Sequence, residues 1–102
     1  MPLSKEDWHQ RFRIQAQWTE ALRLYFYDLI KKDSLLSVLD VGCGTGALLP
    51  EMNSLSPAEI YGLDIDLEYL NMAHQNCPEI SLVGGDVHQL PFEKNSFDLV
   101  TC

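Results

Sequence analysis

The sequence is poor in several features that would otherwise direct its reading. Three cysteines, Cys43, Cys77 and Cys102, stand 34 and 25 residues apart with no CxxC pair. That spacing supports neither a zinc site nor a redox motif, and free thiols in a reducing compartment are expected. The histidines His9, His74 and His88 show no metal-ligand spacing either, so no metal is expected. No apolar run reaches the ~18 residues of a membrane span. The start, Met1-Pro2-Leu3-Ser4-Lys5-Glu6-Asp7, lacks the basic-then-apolar order of a secretory signal. A soluble, cytoplasmic chain with no membrane role is the expectation. Positive charge is scarcest of all. Beyond residue 32, Lys94 stands alone against eleven acids, whereas residues 1–32 hold six Lys/Arg against four acids. A body of that sign repels phosphate backbones, so no nucleic acid is expected as a partner. A cationic ligand is easier to host, although a solvated acidic surface explains most of the net charge of −8.

What is present is patterning. At 102 residues the chain fits one small domain at most. Trp18, Ala21, Leu22, Tyr25 and Leu29 recur at spacings of three and four, with Phe26 and Ile30 widening the same face, which predicts an amphipathic helix. Lys31 and Lys32 suit its C-terminal end. Ser4, followed by Glu6 and Asp7, reads as the N-cap of a shorter helix, so residues 4–32 form one helix or two. The period then changes. Leu35–Val41 reads as a buried strand and Gly46–Leu55 as a helix with Pro50 near its first turn, ended by Ser56-Pro57. A second strand follows at Glu59–Ile65. The next helix, Leu67–Asn76, is capped by Asp66 and stopped by Cys77-Pro78. Ile80–Gly84 is a third strand, and after a loop Phe97–Cys102 starts a fourth, its beginning ordered by Asp98. Strands alternating with helices predict an α/β fold, a Rossmann-like parallel sheet with right-handed crossovers. The expected division is a helical segment over 1–34 and a sheet domain over 35–102.

Three motifs sit at the ends of the first three strands. Asp40-Val41-Gly42-Cys43-Gly44-Thr45-Gly46 places glycines at a strand-to-helix turn, where ligands bind in open α/β sheets. The following helix N-terminus should offer free N–H groups. Gly42-x-Gly44-x-x-Ala47 satisfies the dinucleotide pattern. An acid before the first glycine, however, is awkward beside a pyrophosphate and suits a ligand bearing an ammonium and a sulfonium, which favours S-adenosylmethionine over NAD. Asp64, twenty residues after Gly44, can accept both ribose hydroxyls of an adenosine, a feature that fits either cofactor. The competing reading of Asp64 or Asp66 is a helix cap, and that role goes to Asp66. In Gly84-Gly85-Asp86-Val87 an acid can accept the adenine amine while the next N–H donates to the ring; an ordinary Gly-Asp turn competes equally.

Together, Val38 to Gly46, Gly62-Leu63-Asp64-Ile65-Asp66, and Gly85 to Phe92 leading into Ser96-Phe97-Asp98-Leu99-Val100 resemble the class I S-adenosylmethionine-dependent methyltransferases of small-molecule type. The resemblance covers residues 36–102. It implies that Gly42, Cys43, Gly44 and Gly46 lie against the methionine portion and that Asp40 supports its ammonium. It also implies that Asp64 holds the ribose, Ile65 packs on adenine, and Asp86 and Val87 meet the adenine edge. Cys102 would line the pocket near the sulfonium, or be a small residue in an apolar strand. In this family, helices before the first strand often fold over the cofactor, so Arg13 would meet the methionine carboxylate and Trp18 close the pocket. The residues alone favour a packing helix with an exposed basic side, and a solvent-facing place for His88.

The family's sheet order is 3-2-1-4-5-7-6, of which this chain supplies strands 3-2-1-4. A fragment or truncated product is therefore expected. Strand four would be left as an apolar edge open to self-association. No residue reads as a general base or identifies the methyl acceptor, expected to be a small molecule. The remaining readings are a nicotinamide-dinucleotide-binding oxidoreductase module and a non-catalytic remnant that pairs through the open edge.

Overall fold

A computed structural model describes residues 2–30, 37–54, 59–94 and 96–102. Two helices precede the sheet. Helix α1, Lys5–Trp18, starts on a capping box: the Asp7 N–H donates to Ser4 Oγ, and the Asp7 carboxylate accepts from the Ser4 N–H. It ends at Thr19, and α2 runs Glu20–Ile30. The apolar stripe read from Trp18 onward thus belongs to two helices. Trp18, Leu22, Tyr25, Phe26 and Leu29 on it are exposed, while Tyr27 of α2 reaches the core.

Four strands follow: β1 (Ser37–Val41), β2 (Glu59–Asp64), β3 (Ser81–Gly84) and β4 (Leu99–Thr101). They form one parallel sheet in the order β3-β2-β1-β4, as expected. The register sets Asp40 beside Gly62 on β2 and Thr101 on β4. It also sets Asp64 beside Gly84, so all the acid-bearing turns leave the same end of the sheet.

Between strands lie α3, Leu49–Asn53, and α4, Leu67–Asn76. Helix α4 matches its expected bounds, because Asp66 accepts from the N–H groups of Glu68 and Tyr69 and Cys77 closes the other end. Helix α3 is much shorter than the expected Gly46–Leu55. Gly46 has φ +84°, outside the right-handed helical region, and Leu48 is the cap, with Pro50 in the first turn. Leu35, Leu36, Lys31, Lys32, Leu55, the Ser56-Pro57 breaker and the 34/35 boundary lie outside the described residues.

One face of the sheet holds the main core. Val38 and Ile60 from the strands meet Leu49 and Met52 of α3, Leu70 and Ala73 of α4, Cys77, Ile80 and Tyr27. Leu39 and Leu63 are equally buried but point to the opposite face, as strand alternation requires. A parallel sheet needs that face covered too. The segment after β3 contributes to this cover: Phe97 packs edge-on against Phe92 and Tyr61, and Pro91 and Leu63 both crowd Gly85.

Candidate ligand-binding cleft

At the C-terminal ends of β1 and β2, a cleft of about 420 Å³ opens between the glycine loop and the N-terminal helices. Six of the site residues expected from sequence line it: Asp40, Gly42, Cys43, Gly44, Asp64 and Cys102. The opposite wall comes from α1 and α2 through Phe12, Gln15, Ala16, Thr19 and Arg23. Phe12 approaches Gly44 and meets Tyr69 of α4 edge-on.

Asp40 is almost completely buried. Its Oδ1 accepts from the Thr101 hydroxyl at 2.9 Å. Burial pushes its carboxyl up to about 6, opposed by the Thr101 bond and reinforced by the Asp64 charge. Asp64 is only partly buried and organises the loops: its Oδ2 accepts from the Gly44 N–H at 2.8 Å and its Oδ1 from the Asp66 N–H at 2.9 Å. A carboxylate has about four acceptor positions, so two remain for a ligand. Burial, with the Asp40 and Asp64 charges, pushes the Cys43 thiol up to about 12. It is therefore a protonated wall rather than a nucleophile.

Most of the glycine-loop amides are engaged within the protein. Gly42 and Cys43 both donate to Leu63 O, Gly44 to Asp64 and Gly46 to Cys43 O. The five-residue α3 starts three positions beyond Gly46, so the helix N-terminus lies farther from the loop than the expected start at Gly46 would place it. The Gly42, Cys43, Gly44 and Gly46 amides are thus engaged within the protein.

The other expected residues lie around the cleft. Gly46 is buried, and a Cβ there would come within 3.2 Å of the Ala73 backbone; it lets the loop press against α4. Ile65 is 71% exposed. The exposed Asp86 accepts from the His88 N–H at 2.9 Å, forming an Asx-type turn. Val87 borders a separate hollow with Phe92 and Phe97. The Gly85 N–H donates to Asp64 O, tying the third turn to the second.

Shared placement of three acid-bearing turns around a glycine loop is decided by pattern over the whole domain, and that pattern matches. The chain belongs to the methyltransferase domain family. The match spans residues 38–102. Among curated relatives, the demethylmenaquinone methyltransferase of Thermotoga maritima is 31% identical over 91 residues, covering 88% of this chain and 38% of that protein. The Renibacterium salmoninarum enzyme of the same name is 39% identical over 64 residues, covering 63% and 27%. An amino pentose methyltransferase from Micromonospora echinaspora, solved with SAM bound, superposes with a TM-score of 0.74 at 29% identity, covering all of this chain and 42% of that one. The Pyrococcus horikoshii protein PH0226 shares the fold, with a TM-score of 0.74 at 24% identity. The chain thus spans about a quarter to two fifths of the relatives it matches.

In this methyltransferase domain neither Arg13 nor Trp18 lines the cleft. Trp18 is 78% exposed, and Arg13 borders a shallow site with His9, Pro50 and Asn76. Docking presents the face carrying His9, Phe12 and Ala16; Arg13, about 40° round the helix from His9, lies at the edge of that face, outside the cleft. Sequence reasoning missed His9, whose Nδ1 lies 2.6 Å from Thr45 Oγ1. It also missed Phe12, Arg23 and Thr101. The spacing of His9, Phe12 and Ala16 was the available signal.

Proposed function

We propose that the cleft binds S-adenosylmethionine and that the complete protein transfers its methyl group to a small-molecule acceptor. The observation that carries this reading is the pair Asp40 and Asp64 lining one cleft around Gly42–Gly44, where the Gly42, Cys43 and Gly44 amides donate within the protein. A pyrophosphate would meet two carboxylates and few donors there. A ligand with an ammonium, a sulfonium and a ribose meets complementary groups. The cleft's volume lies within the ~300–1,000 Å³ usual for such ligands.

Asp40 would face the ammonium, the backbones of Gly42, Cys43 and Gly44 the methionine chain, and Asp64 the ribose. Gly46 acts by shaping the loop. Exposed Ile65 would lie under the adenine, with Asp86 and Val87 at its edge, and Cys102 would wall the sulfonium end. When bound, the cofactor supplies an electrophilic methyl carbon. The chain's own residues orient it, and Phe12 and Cys43 restrict water at the methionine end; positioning of this kind provides much of the acceleration of a displacement.

The helical segment 1–34 and the domain 35–102 act as one unit in this reading, because α1 and α2 complete the cleft. No helix among the described residues is long and apolar enough to cross a membrane. The free thiols among the described residues suit a cytoplasmic setting, and the acidic body argues against nucleic-acid partners. Self-association through the β4 edge, where Val100 is exposed, is part of the proposal. The test is Asp64→Ala: binding of S-adenosylhomocysteine should weaken by about 1–3 kcal/mol, with Asp64→Asn intermediate. Unchanged affinity in both variants would remove Asp64 from the site.

A further inference from the structure

The outer side of α2 reads the same in both directions. Leu22, Tyr25, Phe26 and Leu29 follow the pattern Leu-x-x-Tyr-Phe-x-x-Leu, apolar at the same places from either end. All four are exposed, as is Trp18 at the end of α1, four positions before Leu22.

This stripe faces away from the cleft. Arg23 lines the cleft and Tyr27 reaches the core, so these two mark the inward face of α2. Leu22, Tyr25 and Leu29 lie roughly 120–180° round the helix from that face, with Phe26 at the margin. On the inward side α2 is pinned to α3. Arg23 Nε donates to Glu51 Oε2 at 2.8 Å and Nη2 to Glu51 Oε1 at 3.0 Å, and the Tyr27 hydroxyl donates to Glu51 Oε2 at 3.0 Å. A two-pronged charged pair of this kind fixes the helix in rotation, and with it the outer row of apolar side chains.

Area and charge indicate what covers the row. At ~150–250 Å² for a whole aromatic side chain, the exposed parts of Trp18, Tyr25 and Phe26 offer on the order of 400 Å². With the two leucines each copy presents roughly 600 Å², so a pair of copies reaches the ~1,200 Å² at which specific interfaces begin. The charged residues of α2 are Glu20, Arg23 and Asp28, and Arg23 is paired with Glu51. An anionic lipid surface therefore finds no unpaired cation on this helix. Residues 1–32 hold six Lys/Arg against four acids, whereas beyond them Lys94 stands against eleven. Pairing through α2 joins the segments of smallest net charge and keeps the acidic bodies apart.

We propose that α2 is a dimer interface of this chain, with two copies antiparallel about a two-fold axis passing between Tyr25 and Phe26. Leu22 of one copy then meets Leu29 of the partner subunit, and the two Tyr25–Phe26 pairs meet across the axis, the self-complementarity that a two-fold contact requires. Because α2 also lines the cleft through Arg23, the dimer braces that wall from outside while Glu51 holds it from within. The interface is separate from the cleft and stands independently of the cofactor reading.

Sedimentation of the full chain tests the assignment. The native chain should form a reversible dimer. Tyr25→Glu should weaken it by at least about tenfold, because a charge would be buried without a partner at the axis. Leu22→Lys should act in the same direction, and both variants should keep the native circular dichroism because the replaced side chains are exposed. Val100→Lys, on the β4 edge, should leave the dimer unchanged. In a Cys102→Ser background, where the remaining thiols Cys43 and Cys77 are buried, Tyr25→Cys should give a disulfide-linked dimer on air oxidation. Glu20→Cys, on the far side of the helix, should not. A monomeric native chain overturns the assignment, whether or not it sediments with anionic phospholipid vesicles. So does a dimer that Val100→Lys dissociates and Tyr25→Glu does not, or equal cross-linking of the two cysteine variants.

Discussion

Asp40, proposed to face the ligand's ammonium, is buried, and that burial acts on stability. The unfolded carboxyl ionises at its ordinary value, whereas the folded one, at about 6, keeps its proton longer. Between those values the folded state holds more protons, so this residue's contribution to stability declines as pH rises from about 4 to about 6. At neutral pH the cost is about 3 kcal/mol on an order-of-magnitude basis. Asp40→Asn should therefore melt higher than the native chain at pH 8, with the difference shrinking toward pH 4.5, when thermal unfolding is followed by circular dichroism. The same variant should lose affinity for a cationic ligand at pH 8, where the native carboxylate is ionised. A variant that melts lower throughout would show that the Thr101 bond outweighs burial. Asp40 and Asp64 were legible because each ends a strand at a spacing fixed by the crossover. Arg23 and Thr101 were not: their places depend on how α2 docks and on which residue of β4 pairs with Asp40.

Among the elements, legibility followed local signals. Helix α4 carries its own N-cap and stop, and its bounds were readable in full. Helix α3 depends on the positive φ of Gly46 and on contact with Ala73, which no local period encodes. Helix α1 was readable from its capping box, but its docking face was not. That docking rests on His9, which spans the Thr45 hydroxyl and the Asn76 amide, while Asn76 also donates to Thr45 O. The neutral imidazole satisfies this arrangement when Nδ1 donates to Thr45 and Nε2 accepts from Asn76. Protonation would set two donors face to face. Burial and the Arg13 charge hold the His9 pKa below its ordinary 6.5. Glu51, also near this site, is engaged by Arg23. His9 therefore stabilises the docked helix fully above its ordinary value, and that contribution is lost as pH falls from there through the lowered folded value. Hydrogen exchange of α1 amides, corrected for intrinsic rates, should quicken relative to α4 between pH 7.5 and 5.5. An α1 whose protection tracks α4 across that range would exclude His9 as its latch.

Over the whole molecule, the parallel sheet followed from alternating periods and the handedness rule, and the order of its strands from the family resemblance. The cover of the second face did not. It comes from aromatic contacts of a segment, Phe92 and Phe97 on Tyr61, that has no regular period. The exposed stripe on α2 also departs from what periodicity suggests, since an amphipathic pattern states that a face is apolar and not that it is covered. The chain is a methyltransferase domain over residues 38–102, and its N-terminal helices supply the wall that closes the cleft. On the proposed reading this cleft is built for a sulfonium amino acid rather than a dinucleotide. Calorimetric titration of the full chain at pH 8 with S-adenosylmethionine, S-adenosylhomocysteine and NAD tests it most directly. The two sulfur ligands should bind at one shared site that NAD does not contest, whereas binding of NAD in preference to both would contradict the account.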